Sequence, residues 1–302
     1  MSLVRLQRYM HRRNLIKNRR KFLISAIILV FLTAIIIGVV FVYSKEQQIN
    51  ADMNTEESID NQPAEIVQKE SLPEPKPIPK SESIPIVMYH HIRDYDVEND
   101  SIGTNLSLSP SKFEEQLAWL KNNGYKTITF DNFSSGSDNK SIILTFDDGY
   151  KDAYTNAYPL LKKYGFSGVF YIITSFIGRD DTLAESQIKE MSVGGMIIGS
   201  HTQTHIDLEK STVNTISSQL SESKNILENI TGAKITDFCY PSGRYNEQSP
   251  KNLENSGFKT AVTTESPTNA DQFSNLFLLP RIRINHNDSI NSFTARIGKF
   301  PL

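Results

Sequence analysis

From Ile84 onward, short apolar runs alternate with longer stretches in which apolar residues recur every three or four positions. Ile84 to Tyr89, Tyr125 to Phe130, Ser141 to Phe146, Gly168 to Ile173, Met196 to Gly199, Phe238 to Tyr240, Lys259 to Thr263 and Leu276 to Ile284 read as buried strands. Ser109-Pro110 offers cap chemistry for a helix whose Phe113, Leu117 and Leu120 share one face and which Gly124 ends. A second helix runs from about Lys151 to near Gly165, a short one covers Ile188 to Met191, and a long polar one spans about Thr212 to Asn229. Strands and helices alternating at this spacing predict an α/β fold on a parallel sheet. Periodicity does not decide whether that sheet is open or closed into a barrel.

The first 83 residues follow another pattern. Phe22 to Tyr43 is an uncharged, almost wholly apolar run of 22 residues, where roughly 20 suffice to cross a bilayer. Residues 1–21 carry eight Lys/Arg and no acid, which predicts that end in the cytoplasm. A cleaved signal peptide is the rival reading, but no small-x-small cleavage site follows Tyr43. Residues 44–83 are polar and end in the alternating prolines Pro73, Pro75, Pro77 and Pro79, an extended spacer. The expected organisation is a basic cytoplasmic segment (1–21), a transmembrane helix (22–43), a linker (44–83) and an α/β domain (84–302) outside the membrane.

Charge sharpens this picture. The whole chain carries −2, so removing the eight N-terminal cations leaves −10 on the rest. An acidic body speaks against a nucleic-acid partner, which calls for a basic face. Cys239 is the only cysteine, so no intrachain disulfide forms and stability must come from the core.

Candidate chemistry concentrates at a few strand ends. Thr145-Phe146-Asp147-Asp148-Gly149 places two carboxylates directly after a buried strand. Alternation sends neighbouring side chains to opposite faces, but a sharp turn at Gly149 would let both reach one cleft. His201-Thr202-Gln203-Thr204-His205 adds two imidazoles four residues apart, on a helix or a converging loop. Asp148 with His201 and His205 would make a three-ligand divalent site with an open position, leaving Asp147 as a base. A zincin-like reading fails because Thr202 stands where that motif has Glu. Met88-Tyr89-His90-His91 closes the first strand, and His90 rather than His91 is expected in the cleft. Phe238 to Asn246 is a strand entering a Pro/Gly turn whose N–H groups suit an oxyanion. Leu279-Pro280-Arg281-Ile282-Arg283-Ile284 alternates apolar and basic residues, so one arginine is expected to face the cleft. Cys239 and Trp119 read as packing residues. So do Tyr154 and Tyr158, while Tyr150 adjoins the site.

In these residues the chain resembles the NodB-homology polysaccharide deacetylases, carbohydrate esterase family four, over roughly Ile84 to Ile284. The resemblance implies a distorted (β/α) barrel that removes N-acetyl groups from cell-wall or extracellular glycans. It implies Asp147 as general base and Asp148, His201 and His205 as ligands of a divalent metal, Zn²⁺ first, with Co²⁺ or Ni²⁺ as substitutes. The turn after Pro241 would supply the oxyanion-hole amide from Ser242. Tyr150, Tyr240 and Pro241 are the expected substrate contacts. Two departures stand out. Cys239-Tyr240-Pro241-Ser242 replaces the family's Arg-x-Pro-Tyr element, so an arginine to orient Asp147 must come from elsewhere, with Arg281 the candidate. The late Leu-His element is also missing, and His286 sits in a polar stretch. The early Met88-Tyr89-His90 instead resembles the branch that includes poly-β-1,6-N-acetylglucosamine deacetylases, which gives His90 the general-acid role. The implied partners are the membrane and a polysaccharide, peptidoglycan or poly-N-acetylglucosamine. An O-acetyl esterase on the same scaffold and a non-catalytic glycan-binding protein are the alternatives.

Overall fold

Every strand pairing in the main sheet is parallel. The computed structural model describes residues 84–133, 140–268 and 273–299. In chain order the strands are β1 (Ile86–Tyr89), β2 (His91–Ile92), β3 (Ser107–Leu108), β4 (Lys126–Thr127), β5 (Ser141–Phe146), β6 (Val169–Ile172), β7 (Ile197–Ser200), β8 (Asp237–Cys239), β9 (Thr260–Val262) and β10 (Ile282–Arg283). The main sheet runs β10-β1-β5-β6-β7-β8-β9 with β4 beside the start of β5, while β2 and β3 pair separately. The sheet curls until Leu279, just before β10, bridges Val262 of β9. The result is a curled half-barrel of parallel strands, as the resemblance implied. The segment expected as one strand over Leu276 to Ile284 is divided between the two edges, β9 at Leu279 and β1 at Ile282 and Arg283. Pro280, at the break, has no N–H to offer a ladder.

The longer helices follow the sequence pattern. Pro110–Asn122 is capped by the Ser109 hydroxyl, which accepts from the Lys112 N–H, and buries Phe113, Gln116, Leu117 and Leu120. Val213–Thr231 is capped by Thr212 and stops at Gly232, where φ is 70°. The expected helix from Lys151 to Gly165 contains a π turn, Ala153–Ala157, before its regular part, Tyr158–Tyr164. Pro159 contributes no N–H to that ladder. Helices Ser101–Leu106, Ser249–Asn255 and Ile290–Ile297 are too short for periodicity to announce. The membrane segment and linker expected within residues 22–83 lie outside the described residues. Among those described, no helix is long and apolar enough to cross a membrane.

Strand alternation builds two cores. Val87, Tyr89, Ile142, Leu144, Phe146, Phe170, Ile172, Phe238 and Ala261 pack outward with the helix residues Phe113, Leu117, Ile216 and Phe293. Ile86, Ile143, Val169, Tyr171, Cys239 and Val262 face the inside of the curl with Phe130, Phe133 and Phe273.

Asp237 opens β8, buried, and accepts a 2.5 Å hydrogen bond from the Thr260 hydroxyl. Burial pushes its carboxyl up to about 6 from an ordinary 3.8, although that hydrogen bond opposes the shift. A raised carboxyl contributes stability that is complete below about pH 4 and lost as pH rises through about 6. At one pKa unit per about 1.4 kcal/mol, Asp237→Asn should gain on the order of 3 kcal/mol at pH 8, and the gain should shrink towards pH 5. Urea melts of both proteins across that range read the difference. A gap independent of pH would locate the titration elsewhere.

Candidate active site

The chemistry-bearing residues follow the carboxyl ends of parallel strands, where α/β sheets open their clefts. On β5, Ile143 and Thr145 face inward, and Asp147 continues that alternation. Asp148 would then point outward, but its backbone adopts φ 70° and Gly149 follows at 73°. The left-handed pair turns the chain back, and both carboxylates line one cleft. Five described non-glycine residues have positive φ. Four of them, Asp148, Thr202, His205 and Ser242, lie in this site, where strain of this kind gathers when it serves function.

Asp147 is buried and held by Arg281 in a bidentate pair, Nη1 to Oδ1 at 2.7 Å and Nη2 to Oδ2 at 2.7 Å. Arg281 has no exposed surface. Its Nε donates to the Thr263 carbonyl at 2.8 Å and its Nη1 to the Thr145 hydroxyl at 2.9 Å. Burial raises the Asp147 pKa, but the charge and hydrogen bonds of Arg281 outweigh it and hold the carboxyl below its ordinary value. The group therefore stays an anion although it is buried.

Asp148, His201 and His205 converge. His201 Nε2 lies 3.3 Å and His205 Nε2 3.6 Å from Asp148 Oδ1. Tetrahedral ligands about 2.1 Å from a zinc ion stand about 3.4 Å apart, so this donor set fits a divalent cation. His201 Nδ1 lies 2.7 Å from the Cys239 carbonyl. A carbonyl only accepts, so Nδ1 carries a proton and Nε2 is the ring atom that faces the metal position. Burial pulls the His201 pKa down, but Cys239 and Asp148 outweigh it and hold it well above its ordinary value, so a bound cation would take the place of a proton at Nε2. Burial first, and then His201, lower the His205 pKa, which favours a neutral ligand there. A second cluster, Asp147 with His201 and Cys239, is fully buried. Both Asp147 oxygens are committed to Arg281 and His201 Nδ1 to a carbonyl, so this cluster fits a cation poorly. The histidine pair sits on a loop. The Thr202 hydroxyl accepts the His205 N–H at 2.9 Å and closes the turn that brings the rings together.

The cleft, about 500 Å³, is lined by both carboxylates, both imidazoles, His90, Tyr150 and Ser242. His90 Nε2 lies 4.0 Å from Asp147 Oδ2, and its buried Nδ1 has no partner among the described residues. Burial lowers its pKa, against the pull of Asp147 and Asp148. Ser242 sits in the turn Pro241–Gly243 with φ 55°. The next two N–H groups close that turn onto Tyr240 and Pro241, whereas the Ser242 N–H has no acceptor among the described residues. Gly243 is required here, since a Cβ would stand 2.0 Å from the Thr264 hydroxyl oxygen.

Other expected positions fall elsewhere. Tyr240 is fully buried in the outer core, its ring 5.2 Å from that of Tyr245, and does not line the cleft. Alternation explains this, since Cys239 faces inward and Tyr240 therefore faces out. Pro241 is buried beneath the turn. His91 turns from the cleft to bond Asp152 at 2.5 Å and stacks on Tyr150 with ring centres 3.5 Å apart. His286 Nδ1 lies against the Ser107 carbonyl, away from the site. Sequence reading missed the Cys239 carbonyl, Thr145 and Asp152, because a residue's support of a distant neighbour leaves no local pattern. It also missed Asn105, Thr264 and the Ile102 side of the wall, all on short loops or a six-residue helix.

Comparison with known proteins closes the case for the family. A family model described as polysaccharide deacetylase matches residues 134–261. YxkH of Bacillus subtilis (strain 168), named as a polysaccharide deacetylase, is 37% identical over 224 residues, spanning 72% of this chain and 77% of its own. The poly-beta-1,6-N-acetyl-D-glucosamine N-deacetylase of Staphylococcus aureus (strain MRSA252) is 28% identical over 232 residues, 68% of this chain and 80% of its own. The structure of the Streptococcus pyogenes deacetylase PplD in complex with acetate is similar at a TM-score of 0.66 and 32% identity, over 71% of this chain and 98% of that one. With this fold and these relatives, the chain belongs to the polysaccharide deacetylases, hydrolases of a non-peptide amide C–N bond.

Proposed function

We propose that this protein is a membrane-anchored, metal-dependent N-deacetylase of N-acetylglucosamine units in a cell-wall or extracellular polysaccharide. The observation that carries the reading is an ionised Asp147, fixed by Arg281, in the same cleft as the Asp148, His201 and His205 donor set. A relative named for N-deacetylation of poly-N-acetylglucosamine and a similar deacetylase structure holding acetate support it.

A divalent cation held by Asp148, His201 and His205 would polarise the acetyl carbonyl and make a water acidic enough to attack it. The chain's own groups manage the protons. Asp147 takes one from the attacking water, and Arg281 fixes the carboxylate in position for it. The Ser242 N–H, free of an acceptor among the described residues, donates to the oxyanion as the carbonyl carbon becomes tetrahedral. Asp147 Oδ2 lies 4.0 Å from His90 Nε2, which puts the two groups side by side in the cleft. His90 passes a proton to the sugar nitrogen, the C–N bond breaks, and acetate and a glucosamine unit leave. Because burial disfavours charge on His90, it serves as a transient carrier.

The test is product analysis on full-length protein with peptidoglycan, poly-N-acetylglucosamine and O-acetylated xylan. Acetate released in step with new primary amines on a glucosamine polymer is the expected result. Acetate released from the O-acetylated polymer alone would make the protein an esterase. Anchoring rests on the basic flank and apolar run of residues 1–43. A C-terminal tag that protease removes from intact protoplasts would place the domain outside. A tag protected until lysis would overturn both the anchoring and the glycan substrate.

A further inference from the structure

Six arginines fall within the described residues, and five have a partner for the guanidinium. Arg281 holds Asp147, Arg244 bonds Asp207 at 2.8 Å and Arg296 bonds Asp288 at 2.5 Å. Arg93 donates to the Ser107 hydroxyl and lies over Tyr95, and Arg179 donates to the Ser175 carbonyl and lies over Phe176. Arg283 is the exception. Among the described residues its guanidinium has no carboxylate, no acceptor and no aromatic face. Yet its backbone is well anchored, in register with Met88 of β1 and with its carbonyl accepting 2.5 Å from Arg296 Nη1.

Its place in the strand explains where the charge goes. Ile282 packs into the outer core, so Arg281 and Arg283 share the inner side of the curl, two residues apart. Arg281 is the deep member and is spent on Asp147. Arg283 is the rim member and lines the cleft with His90, Asp148 and Ser242. The other charges of the cleft are accounted for. Asp147 is neutralised by Arg281, and Asp148 is committed to the two imidazoles. A half-buried, unpaired arginine beside the reacting groups is costly unless the ligand supplies its partner, and a planar guanidinium matches carboxylate and phosphate in bidentate geometry.

We propose that Arg283 is a specificity-determining residue, and that it selects glycans carrying an anionic group, carboxylate or phosphate, on the unit next to the acetylated sugar. This inference rests on the deacetylase reading and narrows its substrate class from any N-acetylglucosamine polymer to an anionic one. Neutral poly-N-acetylglucosamine would leave the guanidinium without a partner and bind less well.

The experiment uses full-length protein and three short oligosaccharides that share one N-acetylglucosamine unit. One is neutral, one has a lactyl carboxylate on the neighbouring sugar, and one has a neighbouring phosphodiester. The native ratio of kcat/KM, anionic over neutral, should be about 10–100, the effect of one charge-assisted hydrogen-bond pair, and should fall with added salt. The arm with the higher ratio identifies the anion. Arg283→Gln should bring the ratio towards one, mainly through KM, with an unchanged melting temperature, and Arg283→Lys should restore part of it. Equal rates on all three oligosaccharides, or a preference that survives Arg283→Gln, would overturn the proposal. Absence of acetate from all three would defeat the deacetylase reading instead. Calorimetric binding of the same oligosaccharides to native protein and Arg283→Gln would then still decide the role of Arg283.

Discussion

His201→Ala should abolish metal binding and acetate release together. Two imidazole nitrogens within 3.6 Å of the Asp148 carboxylate make a three-donor set that cannot hold a cation of this class when one member is deleted. The expected loss exceeds the roughly 10–100-fold that removal of a supporting hydrogen-bond partner costs. His201 is the better probe of the three. His205 and Asp148 both sit at positive φ, 58° and 70°, so alanine there adds backbone strain to the loss of a ligand. For Asp148 the cleaner change is Asn, which tolerates the left-handed conformation but removes the charge. The measurement is metal content after gel filtration, alongside turnover before and after chelation and after return of Zn²⁺ or Co²⁺. Undiminished turnover in a demonstrably metal-free preparation would remove the metal from the mechanism.

What could be read from the sequence was whatever is local. The strand before Asp147, the helix capped at Ser109 and the alternation that puts Cys239 inside are properties of a few neighbouring residues. The spacing of His201 and His205 named both residues, but not the Thr202 hydroxyl that closes their loop. Arg281 was the candidate to hold Asp147, but nothing local in the sequence accounts for it. It lies 134 positions downstream of Asp147, two residues before Arg283, and the parallel register of β10 against β1 is what brings it there. That register is set by the Leu279 bridge to β9 and the break at Pro280, which are long-range events. Tyr240 went astray for a simpler reason. It was grouped with the turn that follows it, whereas its side chain obeys the strand before it and enters the outer core.

Asp147→Asn should keep the metal ligands, lose turnover by at least about 100-fold, and also destabilise the fold. The first two effects follow from chemistry, since an amide cannot take the water's proton and Asp147 is no member of the Asp148, His201 and His205 set. The third follows from the structure. Arg281 has no exposed surface, and both of its Nη atoms donate to the Asp147 carboxylate at 2.7 Å. Asn leaves that guanidinium buried without a counter-charge, and breaking a buried pair from one side costs about 3–5 kcal/mol. Activity must therefore be measured per folded molecule, with melting temperature and metal content recorded on the same sample. The double variant Asp147→Asn with Arg281→Met separates the effects. It removes both charges from the interior, so stability should recover relative to the single variant, whereas turnover should stay lost because no base has been restored. If the double variant regained activity together with stability, Asp147 would be a structural partner of Arg281 and another group would be the base. If it stayed inactive with metal bound and fold intact, proton transfer at Asp147 would be the step that this buried ion pair exists to hold in place.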